Sequence, residues 1–166
     1  SIGLTNMVSR LNHGLDIGGQ SLGAPARFLI GVAVNPQAPS LDAEWRRLDY
    51  KVEAGAEFIL TPPVFDADAM LAMLPRLRER GLPVIAGLVP LESLRQAEFI
   101  ASEVPDAIVP ERVLARMRAA ADPQAEGLAI ALELFGALRG AVAGISVRPL
   151  HGSSESVERF LAAVRG

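Results

Sequence analysis

Four short apolar runs, separated by helical patterns, constrain the fold of this chain more than any other feature of its sequence. The apolar runs occupy residues 28–34, 57–60, 83–88 and 143–147. Helical patterns occupy residues 4–11, 41–52, 67–80, 91–103, 110–120, 123–139 and 154–164. Strands that alternate with helices are typical of parallel βαβ units, and uniformly apolar strands fit a sheet packed on both faces. The pattern predicts an α/β fold, either a small open sheet of parallel strands or half of an eight-stranded barrel.

The segment 44–66 contains a helix, a turn and a strand, and it carries the clearest strand end in the chain. Apolar residues recur at helical spacing along one face of the helix: Leu41, Trp45, Leu48 and Val52. Gly55 stops the helix, residues 57–60 follow as a buried strand, and Asp66 is placed to cap the next helix. The Thr-Pro-Pro sequence at residues 61–63 marks the end of the strand, because proline cannot donate a hydrogen bond to a sheet ladder. In βα barrels the functional residues lie at this carboxyl-terminal edge.

Two charged residues of this helix, Glu44 and Lys51, are seven positions apart. Two helical turns place both on one side of the helix, at the flank of its apolar stripe. From that position they can reach the rim of a barrel and take part in a site. The alternative is a solvated pair of surface charges, which is the commoner outcome for such spacing.

Length and composition limit the classes of protein to which the chain can belong. Its 166 residues suffice for one domain with a real core. The net charge of −3 leaves no basic footprint for nucleic acid, and no apolar run is long enough to span a membrane. With no signal peptide at the start of the sequence, a cytoplasmic location is the default expectation. The chain begins at Ser1 rather than Met, which suggests a piece of a longer polypeptide.

Motifs that would indicate other chemistry are missing from the sequence. It has no cysteine, which excludes disulfides, thiolate metal sites and a cysteine nucleophile. His13 and His151 are far apart and lie outside any HxH or HExxH pattern, so we expect no metal site. The Gly-rich residues 14–19 lack the strand and spacing of a dinucleotide fingerprint, and no G-x-S-x-G elbow indicates a hydrolase. Asp66 and Asp68 fit helix N-terminal charges better than a catalytic pair.

Four segments resemble methylenetetrahydrofolate reductases in their order and spacing. They are FLIGVAVNP at residues 28–36, KVEAGAEFILTPPVFD at 51–66, PVIAGLVP at 83–90 and EVPDAIV at 103–109. The most specific part is the K-x-x-A-G-A-x-F-x-x-T core at residues 51–61, and the opening residues 1–19 look most like the bacterial form fused to a homocysteine methyltransferase. The resemblance implies a (βα)8 TIM-type barrel, of which residues 1–166 form the carboxyl-terminal half with strands five to eight. It also implies an FAD enzyme that reduces methylenetetrahydrofolate with NAD(P)H.

The resemblance assigns cofactor contacts to five residues of this sequence. Lys51 matches a family lysine that contacts FAD, and Glu44 stands where the family commonly has an acidic ligand of the FAD ribose. Asn35 lies at the strand end that lines the flavin site, and Ser1 and Ile2 fall near a segment that touches FAD. These assignments predict an FAD site along the carboxyl-terminal edge of the sheet.

The substrate residues depart in part from the family pattern. Gln96 matches a glutamine that contacts the folate, but Pro62 replaces the glutamine that usually follows the threonine and binds folate. The last strand ends in Arg148 and Pro149, where many members have a Tyr-Thr-Leu-Asn-Arg-like run. The family's first four strands, with its general-acid glutamate and a flavin-tuning aspartate, are not represented in this sequence, so we expect catalysis only in a complete barrel.

Two further interpretations stay open beside this one. The first is a non-catalytic or divergent relative that binds flavin or folate weakly, or that assembles with a separate N-terminal half. The second is a fragment of an unrelated βα barrel. A half-barrel exposes the edges of its sheet, so we expect the isolated chain to self-associate or to pair with its missing half.

Overall fold

The computed structural model of this protein describes residues 2–150 and 154–165. Within these ranges, helices and strands follow one another in the predicted order. The elements are α1 (Ile2–Asn12), β1 (Gly31–Ala33), α2 (Leu41–Glu53), β2 (Phe58–Pro63), α3 (Ala67–Arg78), β3 (Val84–Leu88), α4 (Leu94–Glu103), α5 (Glu111–Ala119), α6 (Pro123–Leu138), β4 (Gly144–Val147) and α7 (Glu155–Arg165).

The described strands lie in one parallel sheet, in the order β1-β2-β3-β4. Val32 pairs with Ile59 of β2, Ile59 also pairs with Val84 of β3, and Ala86 pairs with Ile145 of β4. Parallel neighbours need crossover connections, which the helices supply. The prediction of parallel strands that are adjacent in chain order is confirmed, and the arrangement fits an α/β fold of the TIM-barrel type.

The first strand is shorter than the predicted run of residues 28–34. β1 covers only three residues, because Asn12 of α1 occupies the backbone that precedes it. The Asn12 amide donates to the Phe28 carbonyl, and its side-chain oxygen accepts from the Phe28 N–H, both at 2.8 Å. Phe28 and Leu29 are 55% and 73% exposed. The start of the apolar run therefore lies outside the sheet and outside the core.

The second strand is longer than predicted, and the expectation that Thr-Pro-Pro ends it is wrong. β2 continues to Pro63, with a shift of register between Leu60 and Pro63 that marks a bulge. The Thr61 hydroxyl accepts a hydrogen bond from the Gly87 N–H of β3 at 2.9 Å. A side-chain oxygen thus takes a place in the ladder, and the bulge accommodates Pro62, which has no N–H to donate.

Local capping signals place the helices that flank the carboxyl-terminal edge of the sheet. The Ser40 side chain accepts a hydrogen bond from the Ala43 N–H and caps α2. The predicted cap Asp66 accepts from the Ala69 N–H at 3.2 Å and begins α3. Gly55 follows α2 with a φ of +105°, a conformation that favours glycine. These caps start α2 and α3 at the edge where the strands end.

The two faces of the sheet differ in how they are covered. Buried strand residues belong to the core beneath the helices: Val32, Ile59, Val84, Ala86 and Leu88. On the opposite face Leu60 is 37% exposed. Gly31 leaves room there for the Phe58 ring, because a Cβ at Gly31 would collide with that ring. This second face forms an open groove, which continues to the carboxyl-terminal ends of the strands.

Candidate functional site

Three of the predicted cofactor residues meet at the end of β1. Glu44 Oε1 accepts a hydrogen bond from the Asn35 N–H at 3.0 Å, and Lys51 Nζ donates to the Ala33 carbonyl at 2.5 Å. Glu44 is 6% exposed and Lys51 is 3% exposed. The interpretation of these two residues as solvated surface charges is therefore wrong. They bind backbone groups of β1 from the adjacent helix α2.

Burial and neighbouring charges set the electrostatics of this cluster. Burial lowers the pKa of the Lys51 ammonium below its usual 10.5, and the Glu44 carboxylate opposes that shift. The exposed Arg47 lies 3.6 Å from Glu44 Oε2. Asn35 Oδ1 accepts from the Gln37 N–H at 2.9 Å, which forms an Asx-type turn and directs the chain away from the strand. The cluster thus places two buried groups of opposite charge on the backbone at the end of β1.

The open groove beside this cluster has a volume of about 510 Å³. Its lining residues come from β1, β2, the loop after α4 and the residue after β4: Gly31, Val32, Ala33, Phe58, Leu60, Thr61, Pro62, Pro63, Val104, Pro105, Asp106 and Arg148. Pro62, the predicted substrate position, therefore faces this groove. The Thr61 hydroxyl is engaged, since it accepts from Gly87 and donates to the Pro62 carbonyl at 2.8 Å. Asp106 and Arg148 are the charged residues of this lining.

Gln96 lies in the first turn of α4 and serves the start of that helix. Its Oε1 accepts a hydrogen bond from the Glu92 N–H at 2.7 Å, and its own N–H donates to the Ser93 hydroxyl at 3.1 Å. This reciprocal arrangement resembles a capping box. Gln96 is 7% exposed and does not belong to the groove lining given above. The structure thus unites Asn35, Glu44 and Lys51 but assigns Gln96 a local structural contact.

The two remaining predicted cofactor residues lie at the start of the chain. Ser1 lies outside the described residues, and Ile2 is the half-buried first residue of α1. The other end of α1 lies beside Phe28, to which Asn12 is hydrogen-bonded. Ile2 therefore lies at the end of α1 that is remote from the beginning of β1. Contact of Ser1 and Ile2 with FAD stays a prediction.

Sequence reasoning did not single out Asp106 and Arg148 as site residues. Arg148 directly follows an apolar strand, which is a usable signal because parallel strands end at one edge. Asp106 follows Pro105 in a loop and has a φ of +65°, and its sequence signal is only that of a turn. Within the described ranges, no group of three or more His, Cys, Asp or Glu residues is arranged to hold a metal. Within the same ranges, no helix combines the length and apolar character needed to cross a membrane.

Comparison with known proteins gives one family and a related fold. A family model described as methylenetetrahydrofolate reductase matches residues 23–151. Methylenetetrahydrofolate reductase 1 of Schizosaccharomyces pombe is 31% identical over an alignment of 97 residues, and the match covers 50% of this chain and 16% of that protein. A probable methylenetetrahydrofolate reductase (NADPH) of Caenorhabditis elegans is 35% identical over an alignment of 81 residues, and the match covers 45% of this chain and 12% of that protein. The chain thus matches only a small part of these relatives.

The solved structures of similar fold include an uncharacterized protein from Clostridium thermocellum, described as binding two copies of 5-methyl-5,6,7,8-tetrahydrofolic acid. The TM-score is 0.63 at 18% identity, and the match covers 81% of this chain and 52% of that one. At this identity the likeness shows the fold alone.

Proposed function

Because this chain belongs to the methylenetetrahydrofolate reductase family, we propose that it forms strands five to eight of a (βα)8 barrel that reduces 5,10-methylenetetrahydrofolate to 5-methyltetrahydrofolate. Residues 1–166 are the carboxyl-terminal half in this proposal, FAD and NAD(P)H are the redox partners, and the location is cytoplasmic. The proposal rests on the parallel sheet β1-β2-β3-β4, whose open face runs to Ala33 at the end of β1, the residue whose carbonyl Lys51 binds.

The open face of the sheet supports a half-barrel. Parallel strands are normally buried on both faces, yet Leu60 on this face is 37% exposed. A second set of parallel strands would cover that face and pair with the free edges of β1 and β4. We expect the 166-residue chain alone to self-associate or to bind an N-terminal half. A clean monomer in sedimentation at high concentration would contradict this expectation.

The residues at the end of β1 fit a flavin dinucleotide. Lys51 Nζ uses one N–H on the backbone of β1 and retains two further donors, which suit phosphate or ribose oxygens. Glu44 Oε2, with exposed Arg47 at 3.6 Å, can also accept from a ribose hydroxyl. A bound flavin would supply the ring that carries hydride between nicotinamide and folate. The part of this chain is to hold that cofactor through Lys51, Glu44 and Asn35.

Folate is the proposed substrate, and the Clostridium thermocellum protein of similar fold is described as binding a methylated form of it. Gln96 Oε1 is engaged by the Glu92 N–H, but its amide nitrogen retains two N–H donors for a pterin. Gln96→Ala should therefore raise the KM for methylenetetrahydrofolate and leave NAD(P)H oxidation with an artificial acceptor unchanged. Pro62→Gln should tighten folate binding. If both variants show the folate kinetics of the parent protein, neither Gln96 nor Pro62 belongs to the substrate site.

A divergent relative that binds folate or flavin without turnover is the second candidate. It is favoured by Pro62, which has neither an N–H nor a side-chain donor, on the wall of the groove. The test uses the complete protein that contains this chain. Its flavin absorbance is measured first, and NAD(P)H oxidation is then followed with an artificial acceptor and with methylenetetrahydrofolate. Activity with both acceptors supports the reductase; bound flavin without folate reduction supports the second candidate; absence of bound flavin contradicts the proposed enzyme.

A further inference from the structure

We propose that Lys51 and Glu44 end the pairing of the strand that the N-terminal half of the barrel adds to β1. Their side chains occupy the last hydrogen-bonding position on the free edge of β1, so the incoming parallel strand pairs along Gly31–Ala33 and stops before Val34. This inference rests on the proposed function, since it names how the missing half joins this one. It goes beyond the cofactor contacts that the resemblance assigns to the two residues.

The pairing of β1 with β2 shows which backbone groups of β1 face its free edge. In a strand of a parallel sheet, the N–H and C=O groups of successive residues point alternately to the two sides. The Ile30 C=O accepts from the Phe58 N–H at 3.3 Å, and Phe58 pairs with Gly31 in the register of the two strands. The groups of Ile30 and Val32 therefore point toward β2, while those of Gly31 and Ala33 point toward the free edge.

The last two groups on the side of the free edge already have partners. Lys51 Nζ donates to the Ala33 C=O at 2.5 Å, and Glu44 Oε1 accepts from the Asn35 N–H at 3.0 Å. In a parallel ladder, one residue of a neighbouring strand donates to the C=O of residue i−1 and accepts from the N–H of residue i+1. For residue i at Val34, the ammonium supplies that donor and the carboxylate supplies that acceptor. The two side chains thus replace one residue of a neighbouring strand.

The earlier part of the free edge is open to a strand. Among residues 2–150 and 154–165, no side chain or loop is hydrogen-bonded to the Gly31 N–H, the Gly31 C=O or the Ala33 N–H, and β1 is at the end of the strand order. Such an edge is a template for another strand, and a closed barrel has no edges. The match to the Clostridium thermocellum protein of similar fold covers only 52% of that chain. A parallel strand of the missing half is therefore the occupant that we assign to this edge.

The burial of the two charged side chains makes them a stop for this strand. A strand that continued past Ala33 would have to displace both from the backbone of β1. Lys51 is 3% exposed and Glu44 is 6% exposed, so each would lose a charge-assisted hydrogen bond in a buried environment. That loss exceeds the gain from one further residue of a ladder. A register shifted toward the carboxyl-terminal edge is excluded for the same reason.

Amide hydrogen exchange in the complete protein tests whether the incoming strand is present. The amides of Gly31 and Ala33, the edge amides, should exchange about as slowly as the Val32 amide, which faces β2. The rates should not change on dilution. Protection of the edge amides that disappears as the protein dissociates would identify a second copy as the occupant and overturn the inference.

The Glu44→Ala variant of the complete protein tests where the strand stops. It removes the acceptor of the Asn35 amide, which should then exchange about 10-fold to 100-fold faster, while the edge amides keep the rates of the parent. The matched control Glu53→Ala removes an exposed carboxylate at the end of the same helix and should leave the Asn35 amide protected. FAD is present in excess in every sample, and thermal melting verifies that each variant is folded.

The outcomes separate this inference from the proposed function. If the edge amides are slow but the Asn35 amide stays slow in Glu44→Ala, the incoming strand supplies its acceptor, and the inference fails while the half-barrel stands. If the edge amides exchange freely in the complete protein, the half-barrel and the inference fail together. A crystal structure of the complete protein gives a second test. A strand that ends beside Ala33, with Lys51 and Glu44 on the backbone of β1, supports the inference, and a strand that continues past Val34 overturns it.

Discussion

Replacing Lys51 with methionine tests whether the charged cluster holds β1 in place, binds the cofactor, or does both. Methionine keeps an unbranched apolar stem in a position that is 3% exposed, while it removes the ammonium that donates to the Ala33 carbonyl at 2.5 Å. The substitution also removes one of the two cations on α2 that interact with the buried carboxylate of Glu44, and leaves Arg47 as the other. The expected result is a less stable protein that also retains FAD less well.

The magnitude follows from two losses and from one contact that compensates part of them. A hydrogen bond to a charged group contributes about 1.5–3 kcal/mol, and breaking a buried charge pair costs about 3–5 kcal/mol when the other charge stays uncompensated. Arg47, 3.6 Å from Glu44, compensates part of that charge. We therefore expect Lys51→Met to lower the free energy of unfolding by about 2–3 kcal/mol. The double variant with Glu44→Gln should lose less than the sum of the single losses, by about 1 kcal/mol.

Urea unfolding of the complete protein measures the stability, and FAD titration of the same samples measures retention of the cofactor. The midpoint should fall by about 1–2 M urea at an ordinary dependence on denaturant. Arg46→Met, an exposed change on the same helix, should stay within about 0.5 kcal/mol of the parent. An unchanged midpoint in Lys51→Met refutes the structural argument. If Lys51→Met loses stability but keeps the FAD affinity of the parent, Lys51 stabilises β1 and does not bind the cofactor.

The same pair of proteins has a predictable dependence on pH. Because burial lowers the pKa of Lys51 below 10.5, the unfolded chain keeps this proton to a higher pH than the folded chain does. The contribution of Lys51 to the free energy of unfolding should then become more favourable as the pH rises from the lowered pKa toward 10.5. Urea titrations of the parent and Lys51→Met across this range should diverge in favour of the parent, and parallel curves would contradict the assignment.

Two further predictions concern the helices around the site. Desolvation raises the pKa of Asp66, but a backbone N–H of α3 and the Arg112 guanidinium outweigh that effect and hold the pKa below 3.8. The stabilisation that the Asp66 carboxylate gives to the folded protein is therefore present above pH 3.8 and is lost as the pH falls through the lowered pKa. Asp66→Ala should cost about 1 kcal/mol at neutral pH and flatten that acid limb in urea titrations. Gly127→Ala should destabilise the protein by about 1–3 kcal/mol, because the new Cβ would collide with the Leu91 carbonyl. Gly136→Ala lies in the same helix but faces open space, so it should stabilise the protein by about 0.5–1 kcal/mol. Equal effects of the two substitutions in thermal melts would refute the packing argument.

The local features of the fold could be predicted from the sequence because they depend on neighbours along the chain. The stripe of Trp45 and Leu48 forms the buried side of α2 as expected, and Asp66 caps α3. The alternation of apolar runs and helices also predicts parallel strands in chain order, since such strands need crossover connections. These features follow from side-chain periodicity and from hydrogen bonds over a few residues.

Features that depend on distant segments were decided by the tertiary structure. β2 extends through Pro62 because Gly87 of the next strand donates to the Thr61 hydroxyl, a partner that the Thr-Pro-Pro sequence does not reveal. Spacing alone favoured solvated charges at Glu44 and Lys51, yet both are buried on the backbone of β1.

The residues of the site also divide into those predicted from the sequence and those identified only from the tertiary structure. Lys51, Glu44 and Asn35 were predicted as cofactor residues through the resemblance, and packing of α2 on β1 brings them together. Asp106 and Arg148 share a groove only because a loop and a distant strand end converge there. The sequence by itself determined which residues can form helices, strands and caps. Only the tertiary structure decided which charges meet, because the energy of a charge depends on the burial and partners that distant parts of the chain supply.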